Sequence, residues 1–318
     1  MCAGPDRPYD PRVEREGTLT TMDGRTLAYV ERGSAEGVPV IVSHGTPGSR
    51  FTRHPDPGIY ERHGVRAVAY DRPGYGLSDP KPGRSVADAA ADIEAIADEL
   101  GFERFVVVGG SGGAPHALGC GALLGDRVTR VGALVTPAPS DAKDFDFFDG
   151  LADLNVKEFG AALEGKETID AYLEPYVEGI RADPDGVLDE IASELPDVDR
   201  AIMNRKEYRD VMKEQFVESV RQGVRGWADD DLAFAKPWGF EPEDVHAEVR
   251  LWQGELDVLA PRSHGEYVAS RLPYARFELL EGGGHFLDEE WAVVYDWLTA
   301  EENAEEPLVP RRAPSSTT

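Results

Sequence analysis

The chain has 318 residues, 41% of them hydrophobic, and a formal net charge of −27. That length suits one core with an elaboration rather than two large domains, and so acidic a surface serves solubility while repelling nucleic acid and anionic membranes. No run of about 18 apolar residues occurs, so no membrane-spanning helix is expected.

The opening "MCAGPDRPYDPRVEREG" carries no apolar stretch of the kind a signal peptide needs. Cysteine is limited to Cys2 and Cys120. Cys2 lies at a terminus expected to move, so no structural disulfide is expected and a reducing compartment fits. These features together predict a soluble, cytoplasmic protein whose partner is a small molecule.

In chain order, "TLAYVERG" (Thr26–Gly33) alternates apolar and polar residues, which predicts an exposed early strand. "VPVIVSHG" (Val38–Gly45), "VRAVAYDRPG" (Val65–Gly74), "RFVVVGG" (Arg104–Gly110) and "VGALVTPAP" (Val131–Pro139) are continuous apolar runs ending in turn residues. Such runs predict strands buried on both faces, hence a parallel sheet covered by helices. Between two of them, "SVADAAADIEAIADELG" opens on a capping box, Ser85 with Asp88. Val86, Ala89, Ile93, Ile96 and Leu100 recur at helical spacing, and Gly101 ends the helix. Strand, helix and strand in that order form a right-handed βαβ crossover, and the predicted fold class is α/β.

After Pro139 the texture changes. Residues 140–234 read as acidic amphipathic helices with no convincing strand: "VKEFGAALEG", "IDAYLEPYVEGIRAD", "GVLDEIASEL" and "KEYRDVMKEQFVESVRQG". Strand-then-turn returns in "VRLWQGELD" (Val249–Asp257) and "ARFELLEGGGH" (Ala275–His285). The expected organisation is a core in two parts, residues 1–139 and 235–300, with residues 140–234 as a helical cap over the carboxyl edge of the sheet, where open α/β sheets bind ligands. "RGWADDDLAFAKPWGF" is expected to bring Trp227, Phe234, Trp238 and Phe240 back towards the core. Residues 301–318, polar and rich in proline, read as a disordered tail.

The stretch "VVVGGSGGAP" (Val106–Pro115) places Ser111 between a buried strand and a helix, boxed by glycines in the pattern G-x-S-x-G. A serine on so sharp a turn presents its hydroxyl outward, and flanking glycines avoid Cβ clashes. The helix amino terminus behind it favours developing negative charge. Phosphate-binding patterns compete for such turns, but no lysine is present in this one and G-x-G-x-x-G is absent. A serine hydroxyl needs a base to act as a nucleophile. His285, after a strand and behind three glycines, is the candidate; the other six histidines lack such a placement, and His116 is expected to point along its helix. Asp257, at the end of the strand "VRLWQ", is the candidate carboxylate. Asp141 in "TPAPSDAKD" is the alternative, but it sits at the cap entrance, where a solvated hinge is the simpler role. Pro261 suits the first turn of the helix after Asp257 and would fix that loop. The order Ser111, Asp257, His285, each beyond a different strand, is that of the α/β hydrolases.

The chain resembles the α/β-hydrolase superfamily, in its branch with a helical cap, from about Gly17 to Leu298. The residues that carry the resemblance are "SHGTPGS" (Ser43–Ser49), "DRPGYGLSD" (Asp71–Asp79), "GGSGG", "GELDVLAP" and "GGGHF". The resemblance implies a serine hydrolase with no metal or organic cofactor. It also implies an oxyanion hole made by the backbone N–H groups of Thr46 and Gly112. It assigns no chemistry to "DRPGYGLSD". Ser111 argues against the dehalogenases and epoxide hydrolases of this fold, which use an aspartate nucleophile. Proline iminopeptidases resemble the chain at "HGTPG", though theirs typically reads HGGPG with an aromatic residue after the serine. Thr46 and Gly112 depart from that pattern. The expected activity is cleavage of a small or medium neutral ester, lactone or thioester. The alternatives are a non-hydrolytic cyclisation or acyl transfer by the same residues, a peptidase like the iminopeptidases, and a ligand-binding protein on a hydrolase scaffold.

Overall fold

The computed structural model describes residues 14–301. Cys2 and the tail after residue 301 lie outside the described residues. An eight-stranded sheet carries, in spatial order, β1 (Arg15–Thr20), β2 (Thr26–Gly33), β4 (Val65–Tyr70), β3 (Val38–Ser43), β5 (Phe105–Gly110), β6 (Val128–Leu134), β7 (Glu248–Gly254) and β8 (Ala275–Leu280). β2 pairs antiparallel with both β1 and β4, and every other pair is parallel. Parallel strands must be covered on both faces. Along β5 the covering is visible residue by residue: Val107 joins one apolar cluster, while Val106 and Val108 join another. The first cluster packs α2 (Ala89–Glu99), α3 (Gly113–Leu123) and α10 (Arg262–Arg271) on one face; the second packs α1 (Gly58–Arg62) and α11 (Glu290–Thr299) on the other.

The predicted capping box is present, with Ser85 and Asp88 bonded reciprocally, although the first turn is a 3₁₀ helix, Val86–Asp88. Two expectations need correction. β2 is not exposed: six of its eight residues are buried, because β1, an element the apolar pattern did not reveal, pairs along its outer edge. Trp227 does not return to the core cluster. It packs with Ile169, Leu173 and Val177, whereas Phe234, Trp238 and Phe240 do join the core. Cys120 is free and buried, with its thiol pushed up by burial.

Between β6 and β7 the described residues hold helices and no strand: α4 (Asp153–Glu164), α5 (Lys166–Ala182), α6 (Pro184–Ser193), α7 (Asp197–Met203), α8 (Lys206–Ser219) and α9 (Arg225–Phe234). They carry their own apolar clusters, one around Leu173 and another around Leu188 and Met203. The second reaches Val258, Leu259 and Phe286 in the loops at the carboxyl ends of β7 and β8. Burying apolar side chains of this size contributes about 1.5–3 kcal/mol each, so the helical block is anchored on the very loops that follow the strands. Among the described residues no helix is long and apolar enough to cross a membrane.

Candidate active site

Ser111 adopts φ 53°, the left-handed region that a residue with a Cβ rarely enters. The turn is pinned at both ends. The Ser111 N–H donates to the carbonyl of Leu134 on β6, and its own carbonyl accepts from Ala114 at 2.9 Å. The helix behind it can start so close to the sheet only because Gly113 has no side chain: a Cβ there would lie 2.1 Å from the Ser43 carbonyl oxygen. The neighbouring Gly112 faces a second constraint, since its Cβ would meet Thr46 Oγ1 at 2.4 Å. Thr46, Ser111 and Gly112 together line one small cavity.

The imidazole of His285 is held by Asp257. Nδ1 lies 3.0 Å from Oδ1 and 2.9 Å from Oδ2, so Nδ1 carries the donated proton and Nε2 is left with its lone pair. Asp257 is buried, and its lone pairs are used further by the amides of Leu259 and Ala260 and by Gln253 Nε2. Gln253 in turn donates to the Ala260 carbonyl at 2.8 Å, tying strand to loop. Burial disfavours the imidazolium of His285, but the charge and hydrogen bond of Asp257, and then the charge of Asp199, outweigh it and hold its pKa above the ordinary histidine value. The alternative acid, Asp141, is exposed in a turn. Pro261 caps α10, in the place the sequence suggested.

Ser111 and His285 both line a cavity of about 290 Å³. Its walls are largely apolar and include Leu154, Ile191, Met212, Phe216, Trp227 and Leu287. The first five come from the helical block. Val135, at φ 46°, also lines it; a β-branched residue in that region costs of order 1–3 kcal/mol and marks a site where the surroundings over-determine the backbone.

The loop bearing Thr46 rests on a buried ion network. Arg72, 1% exposed, donates to the carbonyls of His44 and Gly45 and to Thr46 Oγ1, and pairs with Asp230 of α9. Thr46 Oγ1 and Tyr75 Oη both donate to Asp230, and Arg84 pairs with it from a further loop. Burial raises the Asp230 pKa, but Arg72 and Arg84 overcome it and leave the group well below the usual carboxylate range. His116 faces Asp230. Burial and Arg72 hold the pKa of His44 well below its ordinary value, so its ring is a neutral spacer under the loop.

A second acidic group borders the cavities. Glu158 on α4 lines both, and Asp231 on α9 lines the smaller one. Trp227 Nε1 donates to Glu158 at 2.6 Å. Burial raises both pKa values; the charges of Glu158 and Asp230 push Asp231 further up, whereas the hydrogen bond from Trp227 and the contact with Asp231 pull Glu158 part of the way back. Sequence reasoning reached none of Gln253, Arg72, Asp230, Glu158 or Asp231. "DRPG" gave Arg72 a motif without a role, and the run "ADDD" looks like a solvated helix face. Among the described residues no group of three or more potential ligands could hold a metal ion.

Residues 40–297 match the alpha/beta hydrolase family. The chain is 34% identical over 149 residues to a non-heme chloroperoxidase of Streptomyces lividans, covering 46% of this chain and 54% of the relative. It is 35% identical over 111 residues to a proline iminopeptidase of Xanthomonas citri, covering 33% of this chain and 34% of that one. The matched segments thus span only about half or a third of these relatives' own length. The solved epoxide hydrolase of Vigna radiata superposes with a TM-score of 0.65 over 91% of this chain and 98% of its own, at 19% identity, a likeness of fold. The chain belongs to the alpha/beta hydrolase family.

Proposed function

We propose that this alpha/beta hydrolase is a serine hydrolase that cleaves a small or medium ester-like substrate through an acyl-enzyme. The observation that carries the reading is the Asp257-bound imidazole of His285 on the same cavity as Ser111 at its strained turn. Ser111 Oγ attacks the carbonyl carbon while His285 Nε2 takes the hydroxyl proton. The N–H groups of Thr46 and Gly112 receive the oxyanion; each such donor is worth about 3–4 kcal/mol in the transition state. Collapse expels the alcohol, which takes the proton from His285. Water then repeats the sequence on the acyl-enzyme and releases the acid. Asp257 holds the imidazole tautomer throughout. The apolar walls favour an uncharged acyl group, and residues 140–234 act as the cap that supplies most of them.

Fluorophosphonate labelling and a p-nitrophenyl ester series test the reading. Wild type should be labelled and turn over; Ser111→Ala should do neither while unfolding normally. Retained esterase activity in that variant removes Ser111 from the mechanism. Absence of labelling in the wild type would favour a ligand-binding role.

The Glu158–Asp231 pair favours a second reading, hydrolysis of an amide whose substrate carries an amino group. A buried carboxyl pair beside the serine complements a cation, and relatives bearing the iminopeptidase name match a third of the chain. Amino-acyl p-nitroanilides tested beside p-nitrophenyl esters separate the two readings. Preference for the anilides, lost in Glu158→Gln, would select the peptidase.

A further inference from the structure

Asp199 on α7 belongs to the helical block, yet its carboxyl lies against the loop that carries His285. It is fully buried. Its Oδ1 accepts a hydrogen bond from the Phe286 amide at 2.8 Å. The amide of His285 faces the same carboxyl and, with the Phe286 amide, opposes the upward push of burial on its pKa. The fit is made from the core side by a glycine: a Cβ on Gly284 would sit 2.3 Å from Asp199 Oδ1 and 2.4 Å from Oδ2. The helix is fixed behind it by apolar packing, with Met203, Leu195 and Leu188 in one cluster against which Phe286 packs.

A carboxyl group is costly to bury: burial holds the Asp199 pKa above the ordinary carboxylate value despite the amides of Phe286 and His285, and its Oδ2 has no hydrogen-bond partner among the described residues. A loop that needed only seating could be seated by a hydroxyl. What a carboxylate adds is charge, held against residues 284–286 of the loop that carries the imidazole; after Asp257, that charge contributes to the upward shift of His285. The titratable groups facing the ring are Asp257 after β7 and Asp199 on α7. Glu158 on α4, Arg53 and His54 after β3 and Tyr208 on α8 line the same cavity.

We propose that Asp199 is a positioning residue for His285: from the cap, its carboxylate seats the histidine loop on the Phe286 amide and adds a second negative charge facing the imidazole. The inference rests on His285 being the base of a serine hydrolase. It makes the site complete only when the helical block is docked, because one of the two charges that tune the base comes from that block.

The experiment uses the full chain and reads kcat/KM against pH on a p-nitrophenyl ester, for wild type, Asp199→Asn and Asp199→Ser. Asp199→Asn keeps an oxygen for the Phe286 amide and removes the charge; Asp199→Ser, whose hydroxyl sits one bond short of that oxygen, removes the charge with a smaller polar group, so whichever folds reads the loss of charge. A negative charge facing the ring favours the imidazolium, so removing it lowers the imidazole pKa. The acid limb should therefore move to lower pH by about half a unit or more, with KM little changed. Asp199→Ala also unseats the loop and should lower kcat by about 10- to 100-fold, the scale expected for a small misplacement of a catalytic group. An acid limb that stays in place in folded Asp199→Asn and Asp199→Ser overturns the proposal and leaves Asp199 a packing residue. If Ser111→Ala retains turnover, the serine hydrolase reading itself fails, and the two failures are separate.

Discussion

The core and the helical block both bury carboxyl groups around the cavity, the core's behind His285 and the block's in the walls, and they treat them in opposite ways. The core supplies Asp257, whose oxygens accept from two amides, one side-chain amide and the imidazole. The block supplies Glu158, which accepts from Trp227 Nε1, and Asp231, both of whose oxygens lack a hydrogen-bond partner among the described residues. The same block holds the opposite case one residue earlier, where Asp230 is kept ionised by two buried arginines. Donors aimed at a buried carboxyl offset the cost of its burial; where they are scarce, burial raises the pKa, as it does for Glu158 and Asp231. The core thus surrounds its carboxyl with donors, while the block leaves both Asp231 oxygens without one beside the smaller cavity.

The largest expected effect is on the core side of this comparison. Asp257→Asn keeps the shape but offers a donor where His285 Nδ1–H needs an acceptor, and kcat on a p-nitrophenyl ester should fall about 10⁴-fold. A loss below tenfold would mean that the fully bonded carboxylate is not the one that matters. The next effect is on stability. Asp230→Ala leaves Arg72 and Arg84 buried without their counter-charge and should cost about 3–5 kcal/mol in urea unfolding. A cost under about 1 kcal/mol would show that the arginines find water or other acceptors.

A smaller effect separates Asp231 from Asp230 by pH. Burial raises the folded-state pKa values of Glu158 and Asp231. Their contribution to stability is therefore fully present below the ordinary carboxylate range and is lost as pH rises through the raised values. Asp231→Asn removes that loss, so its stability deficit relative to wild type should shrink between pH 5 and pH 8. A deficit that grows over this interval would place the fixed charge on Asp231 after all. The smallest effect belongs to Asp141→Asn, an exposed turn residue, which should change kcat by less than about tenfold; a larger loss would move the orienting acid to the cap entrance.

The sheet was legible because continuous runs such as "VVVGG" and "VIVSHG" have no soluble alternative to burial on both faces. β1 was not, because "REGTLT" is an edge strand that leaves four of its six residues exposed. The placement of Ser111, Asp257 and His285 after strand ends was legible for a local reason. Each follows an apolar run and is flanked by glycine or proline, and those residues announce the turn that must carry a side chain at a strand end. Gln253 escaped notice since a glutamine near a strand end looks like any polar residue.

The sequence by itself determined what depends on neighbours along the chain: the strand and helix periods, the glycine-bound turns, the chain order of serine, aspartate and histidine, and the change from strands to helices after Pro139. Only the tertiary structure decided which acids are buried and in what state. Asp229, Asp230 and Asp231 are consecutive letters, all three buried, yet the pKa of Asp230 is driven down and those of its two neighbours are driven up. The same holds for Asp199, whose partners are the backbone of residues 285 and 286. Charge state is set by solvent exclusion and by donors within a few ångströms, and those arrive from loops and helices distant in sequence.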